Sequence, residues 1–240
     1  MITRPRLRAR SWTVFQSALG CLLLLVAACS SGSRQEAPSD RPSLPAAPGE
    51  RAAARPRIVA LGDSLTAGLG LSGDDAYPAV LQRMIDKAGY RFEVTNAGVS
   101  GDTTAGGLRR LDWALDGDVR ILILALGAND GLRGLPVAEM KRNLAEIIER
   151  ARKRGVGVLL CGMEMPRNLG AAYWEPFHRA FTELARQHRV ALVPFLLEKV
   201  AGNPALNQGD GIHPNAEGAK LLADTIWPAL EPMLKDAANR

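Results

Sequence analysis

Ile58-Val59-Ala60-Leu61-Gly62-Asp63-Ser64-Leu65-Thr66-Ala67-Gly68 is a short apolar run that stops at a glycine and hands on an acid and a serine. The run predicts a strand over 57–61, and the two glycines permit a sharp turn and close backbone approach. In open α/β sheets ligands gather outside the carboxyl ends of the strands, which is where Ser64 would stand. Outward from this stretch, further strands are expected over 92–95, 120–126, 156–161 and 190–193. Helical patterns fill the gaps at about 76–89, 103–115, 136–153 and 171–188, and a last one runs over 215–227, where Pro228 should end or kink it. Ile121 to Leu126 is apolar at every position, as in a strand covered on both faces. The alternation implies a three-layer α/β/α sandwich around a mainly parallel five-stranded sheet. No internal repeat of useful length is present.

A serine hydroxyl is a weak nucleophile until a neighbouring base takes its proton. The chain has three histidines, and His213 lies in Asp210-Gly211-Ile212-His213-Pro214-Asn215. An acid three residues before the histidine can hold the far nitrogen of the imidazole, fixing its tautomer and stabilising its charged form. Ser64, His213 and Asp210 therefore supply nucleophile, base and orienting carboxylate. The Gly-x-Ser-x-Gly elbow of the α/β-hydrolases is absent.

Two more stretches complete a pattern: Asn96-Ala97-Gly98-Val99-Ser100-Gly101-Asp102-Thr103 and Gly127-Ala128-Asn129-Asp130. With Gly-Asp-Ser-Leu and Asp-Gly-Ile-His-Pro-Asn they resemble, in order, the four blocks of the SGNH (or GDSL) hydrolase superfamily. The likeness runs from about residue 57 onward and is nearest to the bacterial multifunctional thioesterase, lysophospholipase and arylesterase group. It implies a serine esterase of acyl, aryl, lysophospholipid or thio-esters that needs no cofactor. It also implies three oxyanion donors: the backbone N–H of Ser64, the backbone N–H of Gly98 and the side-chain amide of Asn129. Glycine and an uncharged amide suit that task, because neither crowds nor titrates beside the developing charge. The segment Met163–Gly170 resembles a mobile loop that packs over a bound acyl chain in such relatives. Two departures stand out. Ala128 replaces a frequent glycine, and Leu69 stands where an aromatic is common, which alters the wall of an acyl pocket. The alternatives are an acetyl esterase acting on glycans and, in another class, a non-catalytic lipid-anchored binding protein of the cell envelope.

Asp63 and Asp130 invite a metal, since paired carboxylates hold hard cations. Each is expected instead to orient backbone within its own turn, and no metal is expected without a His- or Cys-rich spacing beside them. His178 and His188 share a polar helical segment with Arg179, Glu183 and Arg186 and are expected on a solvated face.

The first ten residues carry four arginines and no acid, and an apolar stretch from Val14 to Ala28 follows. The stretch is short for a membrane span, and its flanks are those of a secretory signal. It ends in Leu25-Val26-Ala27-Ala28-Cys29-Ser30, which resembles a bacterial lipobox with Cys29 as the acylated first residue; the other reading is ordinary cleavage after Ala28. A signal over 1–28, a lipidated start and disordered linker over 29–56 and a hydrolase domain over 57–240 are the expected divisions. The expected place is the periplasmic face of the outer membrane, or the soluble periplasm if Cys29 stays unmodified. The 30 basic and 25 acidic residues become 26 and 25 once the four leading arginines are set aside. The charge thus gives no argument for nucleic acid. Partners are a small acyl-ester or lipid substrate and a membrane reached through the anchor, with the domain itself monomeric. Cys161 is the only thiol beyond Cys21 and Cys29, so the domain has no internal disulfide.

Overall fold

A computed structural model describes residues 55–239. The signal segment, Cys29 and the linker up to residue 54 lie outside the described residues. Five strands appear: β1 (Arg57–Gly62), β2 (Glu93–Gly98), β3 (Val119–Ala125), β4 (Gly157–Cys161) and β5 (Ala191–Val193). They form one sheet in the order β2-β1-β3-β4-β5, every neighbouring pair parallel. The helices are α1 (Ser64–Ala67), α2 (Tyr77–Lys87), α3 (Thr104–Arg109), α4 (Leu111–Ala114), α5 (Ala128–Leu132), α6 (Val137–Lys153), α7 (Ala171–His188) and α8 (Ala216–Ala238). Helix α2 packs against α8 on one face of the sheet, while α6 packs against α3 and α7 on the other. This is the expected three-layer α/β/α sandwich.

Burial explains the central strands. Ile58 to Leu61 and Leu122 to Leu124 are wholly inaccessible, because both faces of β1 and β3 are covered by helices. The chain leaves β1 to one side for β2 and returns past it for β3, so the sheet order reverses at β1. Register then does the positioning. Gly62 pairs with Gly98 of β2 and with Ala125 of β3, so three strands end on one level. Ser64, the loop after Gly98 and Asn129 all leave the sheet from that level.

Four elements differ from expectation. Helix α8 continues to Ala238 through Pro228 and Pro232. Each proline removes one N–H and crowds one turn, but Leu222, Ile226, Leu230 and Leu234 form one buried stripe across both, and that burial carries the helix on. The helix expected over 103–115 is broken into α3 and α4 at Arg110, whose backbone leaves helical geometry. The four-residue α1 and five-residue α5 have no counterpart in the sequence reading, since so short a turn shows no period.

Candidate active site

Ser64 opens α1. Asp63 caps that helix, its Oδ1 accepting the Leu65 N–H at 3.1 Å. Gly68 closes the helix in the left-handed conformation, φ 74°. The serine is thus held on a rigid turn directly above β1. Its Oγ lies 2.9 Å from His213 Nε2, and His213 Nδ1 lies 2.6 Å from Asp210 Oδ2. The other oxygen of Asp210 accepts the backbone N–H groups of Ile212 (2.9 Å) and His213 (3.0 Å). Those backbone donors, the imidazole and their shared turn hold the Asp210 carboxyl well below the usual carboxylate range. The three residues predicted as nucleophile, base and orienter are therefore brought into one hydrogen-bonded chain.

The loop that carries His213 is fastened from below. The Gln208 N–H donates to the His213 carbonyl at 2.7 Å, and Gln208 Nε2 donates to the carbonyls of Leu69 (2.7 Å) and Pro214 (2.9 Å). Asn215 then caps α8 by accepting the Gly218 N–H at 3.0 Å. Gln208 thus ties the histidine loop to the segment just after the serine helix. Nothing local in the sequence marks it.

The predicted oxyanion donors divide. Ser64 contributes a first-turn N–H with no intrahelical partner. Asn129 sits on α5 with its Nδ2 donating to Asp63 Oδ2 at 3.3 Å, which uses one of its two hydrogens. Gly98 departs from expectation: its N–H donates to Asn96 Oδ1 at 2.9 Å, and it does not line the cavity beside Ser64. Its glycine identity serves packing, since a Cβ there would stand 2.1 Å from the Ala67 nitrogen. Gly101, three residues on, lines the cavity instead, at φ 79° and with its N–H unengaged among the described residues. The block as quoted contains both glycines, and only the end of β2 separates them.

Arg110 holds this loop in place. Its guanidinium, mostly buried, donates to Asp102 Oδ2 (2.7 Å), the Ala97 carbonyl (2.6 Å) and the Gly62 carbonyl (2.9 Å). One side chain thus ties the ends of β1 and β2 to the residue after Gly101. Asp130 also departs from expectation. It does not serve its own turn: its carboxylate accepts the Thr104 N–H (2.9 Å) and the Thr104 hydroxyl (2.6 Å), and Asn143 donates to that hydroxyl at 3.1 Å. The helix bearing Asn129 is thereby anchored to α3.

Asp63 is 2 % exposed, and burial pushes its carboxyl up to about 6, against the pull of the Leu65 and Asn129 hydrogen bonds. Among the described residues no group of three or more His, Cys, Asp or Glu side chains is gathered to hold a metal ion.

The two remaining histidines do not share a solvated face. Ten helical residues correspond to roughly −80° of rotation, so the pair point different ways. His178 stacks on Trp174 at 4.8 Å and lies 3.2 Å from Glu164, whereas His188 is buried against α6 with its Nε2 unpartnered. Burial in β4 raises the Cys161 thiol to about 12.

Ser64, His213, Gly101 and Asn129 all line a cavity of about 390 Å³ with largely apolar walls. Leu69 forms part of one wall, and Met163 and Met165 of the segment after β4 form part of another. The arrangement offers a hydroxyl hydrogen-bonded to a base, a relay for its proton, and N–H donors lining the same cavity. That set can open an acyl bond.

The model of the "GDSL-like Lipase/Acylhydrolase family" matches residues 60–221. The chain is 42% identical over 183 residues to the "Esterase TesA" of Pseudomonas aeruginosa, covering 76% of this chain and 91% of that one. It is 37% identical over 185 residues to the "Thioesterase 1/protease 1/lysophospholipase L1" of Escherichia coli K12, covering 77% and 88%. A solved structure titled "Crystal Structure of TesA" superposes with a TM-score of 0.71 at 42% identity, over 74% of this chain and 99% of that one. With the fold, the four blocks and these relatives in agreement, the chain belongs to the GDSL-like lipase/acylhydrolase family, within the SGNH hydrolases.

Proposed function

We propose that the chain hydrolyses carboxylic esters through an acyl-enzyme on Ser64. The observation that carries this is the hydrogen-bonded chain Ser64 Oγ–His213 Nε2–Asp210, whose serine and histidine line a largely apolar cavity. Ser64 Oγ attacks the ester carbonyl carbon while His213 Nε2 takes its proton. The C–O bond then breaks, and the leaving alkoxide receives that proton. Water attacks the acyl-serine by the same route in reverse, restoring the hydroxyl. Asp210 fixes the imidazole so that Nε2 accepts, and stabilises its charged form. The donors for the tetrahedral oxyanion are the N–H of Ser64, the free hydrogen of the Asn129 amide, and the N–H of Gly101 in the place first given to Gly98.

The apolar walls favour an acyl chain over an acetylated sugar, whose hydroxyls would find few partners there. The names of the relatives, an esterase and a thioesterase/lysophospholipase, point the same way. We also read the N-terminus as an export signal with Cys29 acylated, placing a monomeric domain at the periplasmic face of an outer membrane. Lipid labelling that persists in Cys29→Ser would contradict that anchor. For the activity, p-nitrophenyl esters from acetate to palmitate are offered to the wild type and Ser64→Ala. The reading expects turnover that rises beyond acetate and is abolished in the variant. A folded wild type inert on every ester, lysophospholipid included, would overturn it.

A further inference from the structure

One wall of the cavity has little backbone to hold it. Met163, Glu164, Met165 and Pro166, consecutive in the chain after β4, all line the cavity. Gly162 is still joined to β5, its N–H donating to the Val193 carbonyl at 2.8 Å. Beyond it, among the described residues, no backbone hydrogen bond links 163–169 to another element. Side chains therefore fix where this wall stands. On the inner side Met163 and Met165 are buried, and Met165 rests against Gly131 of α5, where an added Cβ would fall 2.4 Å from its Sδ.

On the outer side the segment is held by a row of four side chains. Glu164 Oε1 lies 3.2 Å from His178 Nδ1, and His178 stacks on Trp174 at 4.8 Å with the planes 11° apart. The Arg167 guanidinium lies over the Trp174 ring at 4.6 Å. Trp174 and His178 stand one turn apart on α7, so a single helical face grips the segment at residue 164 and again at residue 167. Helix α7 is itself a firm post: Phe177 is wholly buried, and the Tyr173 hydroxyl donates to the Leu135 carbonyl at 2.8 Å. We propose that Trp174 and His178 are positioning residues that fix this wall and with it the length of acyl chain the cavity prefers. Neither lines the cavity, so their influence passes through Met163 and Met165. An exposed ion pair holds weakly alone, and the indole, which meets both its neighbours, carries most of the grip. What fills the cavity rests on the esterase reading; the grip itself does not.

The test compares Trp174→Ala, Trp174→Phe and His178→Ala with the wild type in the full chain. Each methylene of an acyl chain that loses its apolar wall costs about fourfold in binding. Slackening the wall over two methylenes should raise KM for p-nitrophenyl octanoate roughly tenfold in Trp174→Ala. Its kcat on that ester, and both constants on p-nitrophenyl acetate, should stay within about twofold of wild type. His178→Ala should show the same change in smaller degree. Trp174→Phe, which keeps a ring for Arg167 and His178, should restore the wild-type profile. A second readout needs no turnover: trypsin cleavage of the Arg167–Asn168 bond, followed by mass spectrometry, should run about fivefold faster in Trp174→Ala and return to the wild-type rate in Trp174→Phe. An unchanged chain-length profile, an equal loss on both esters, a gain on octanoate, or unaltered cleavage at Arg167 would each overturn the proposal. A wild type inert on every ester would instead overturn the esterase reading, and the cleavage rates would still decide the grip.

Discussion

Asp63→Asn should make the protein more stable and less active at once. The Asp63 carboxyl is lifted from its ordinary 3.8 to about 6 by burial. The folded chain therefore holds a proton over a window in which the unfolded chain has released it, and stability falls as pH rises through that window. This is the opposite sign to a salt-bridged carboxylate. The shift corresponds to a penalty of about 3 kcal/mol at about pH 7.5, of which roughly 1.4 kcal/mol develops between about pH 5 and about pH 7.5. Asparagine keeps an acceptor for the Leu65 N–H and carries no charge, but it sets an NH₂ against the Asn129 amide. Allowing about 1 kcal/mol for that contact, the variant should be about 2 kcal/mol more stable at about pH 7.5. That advantage should shrink by roughly 1.4 kcal/mol at about pH 5. To meet the new NH₂, Asn129 must turn its carbonyl toward position 63 and withdraw a donor from the cavity. Turnover should then fall on the order of a hundredfold. Urea unfolding followed by tryptophan fluorescence at the two pH values supplies the test, because the difference between wild type and variant cancels every other titrating group. Parallel pH dependence of the two proteins, or a variant less stable at the higher pH, would refute the reasoning.

Asp210→Asn should lower kcat on the order of 10²- to 10³-fold with KM little changed, less than for a fully buried triad carboxylate because Asp210 is 46 % exposed; steady-state kinetics on a soluble ester measure it. Gly98→Ala drives a Cβ to 2.1 Å from the Ala67 nitrogen, so melting temperature and activity should fall together as α1 is displaced. Gly101→Ala meets only Arg133 Nη2 at 3.5 Å and should lose about 1–2 kcal/mol of stability to its positive φ, with a larger proportional loss of kcat. Cys161, wholly buried with its thiol near 12, should resist a disulfide reagent in the native domain and react only as the domain unfolds, as thiol release at increasing urea would record.

What the sequence made legible is what repeats locally. The apolar run from Ile121 to Leu126 announces a covered strand, and a motif of four ordered blocks announces a rim. The serine, histidine and aspartate could be named because three histidines leave few choices for a base. What stayed hidden depends on register and on distance along the chain. Whether Gly98 or Gly101 faces the cavity is decided by how far β2 pairs with β1, and two glycines in one block do not reveal that. Arg110 bonds to a carbonyl 48 residues away, and Gln208 to one 139 residues away. No short-range pattern encodes either. Pro228 misled because local backbone cost is visible in sequence, while the buried stripe that offsets it is a tertiary fact.

The most direct test of the covalent account is active-site labelling of the wild type with diethyl p-nitrophenyl phosphate, an acylation mimic whose p-nitrophenolate is expelled when a nucleophile attacks. The account predicts a burst of one p-nitrophenolate per chain, with the adduct on the peptide containing Ser64. Ser64→Ala should give no burst, and His213→Ala should give a greatly slowed one. A stoichiometric adduct on any other residue, or an undiminished burst from Ser64→Ala, would contradict it.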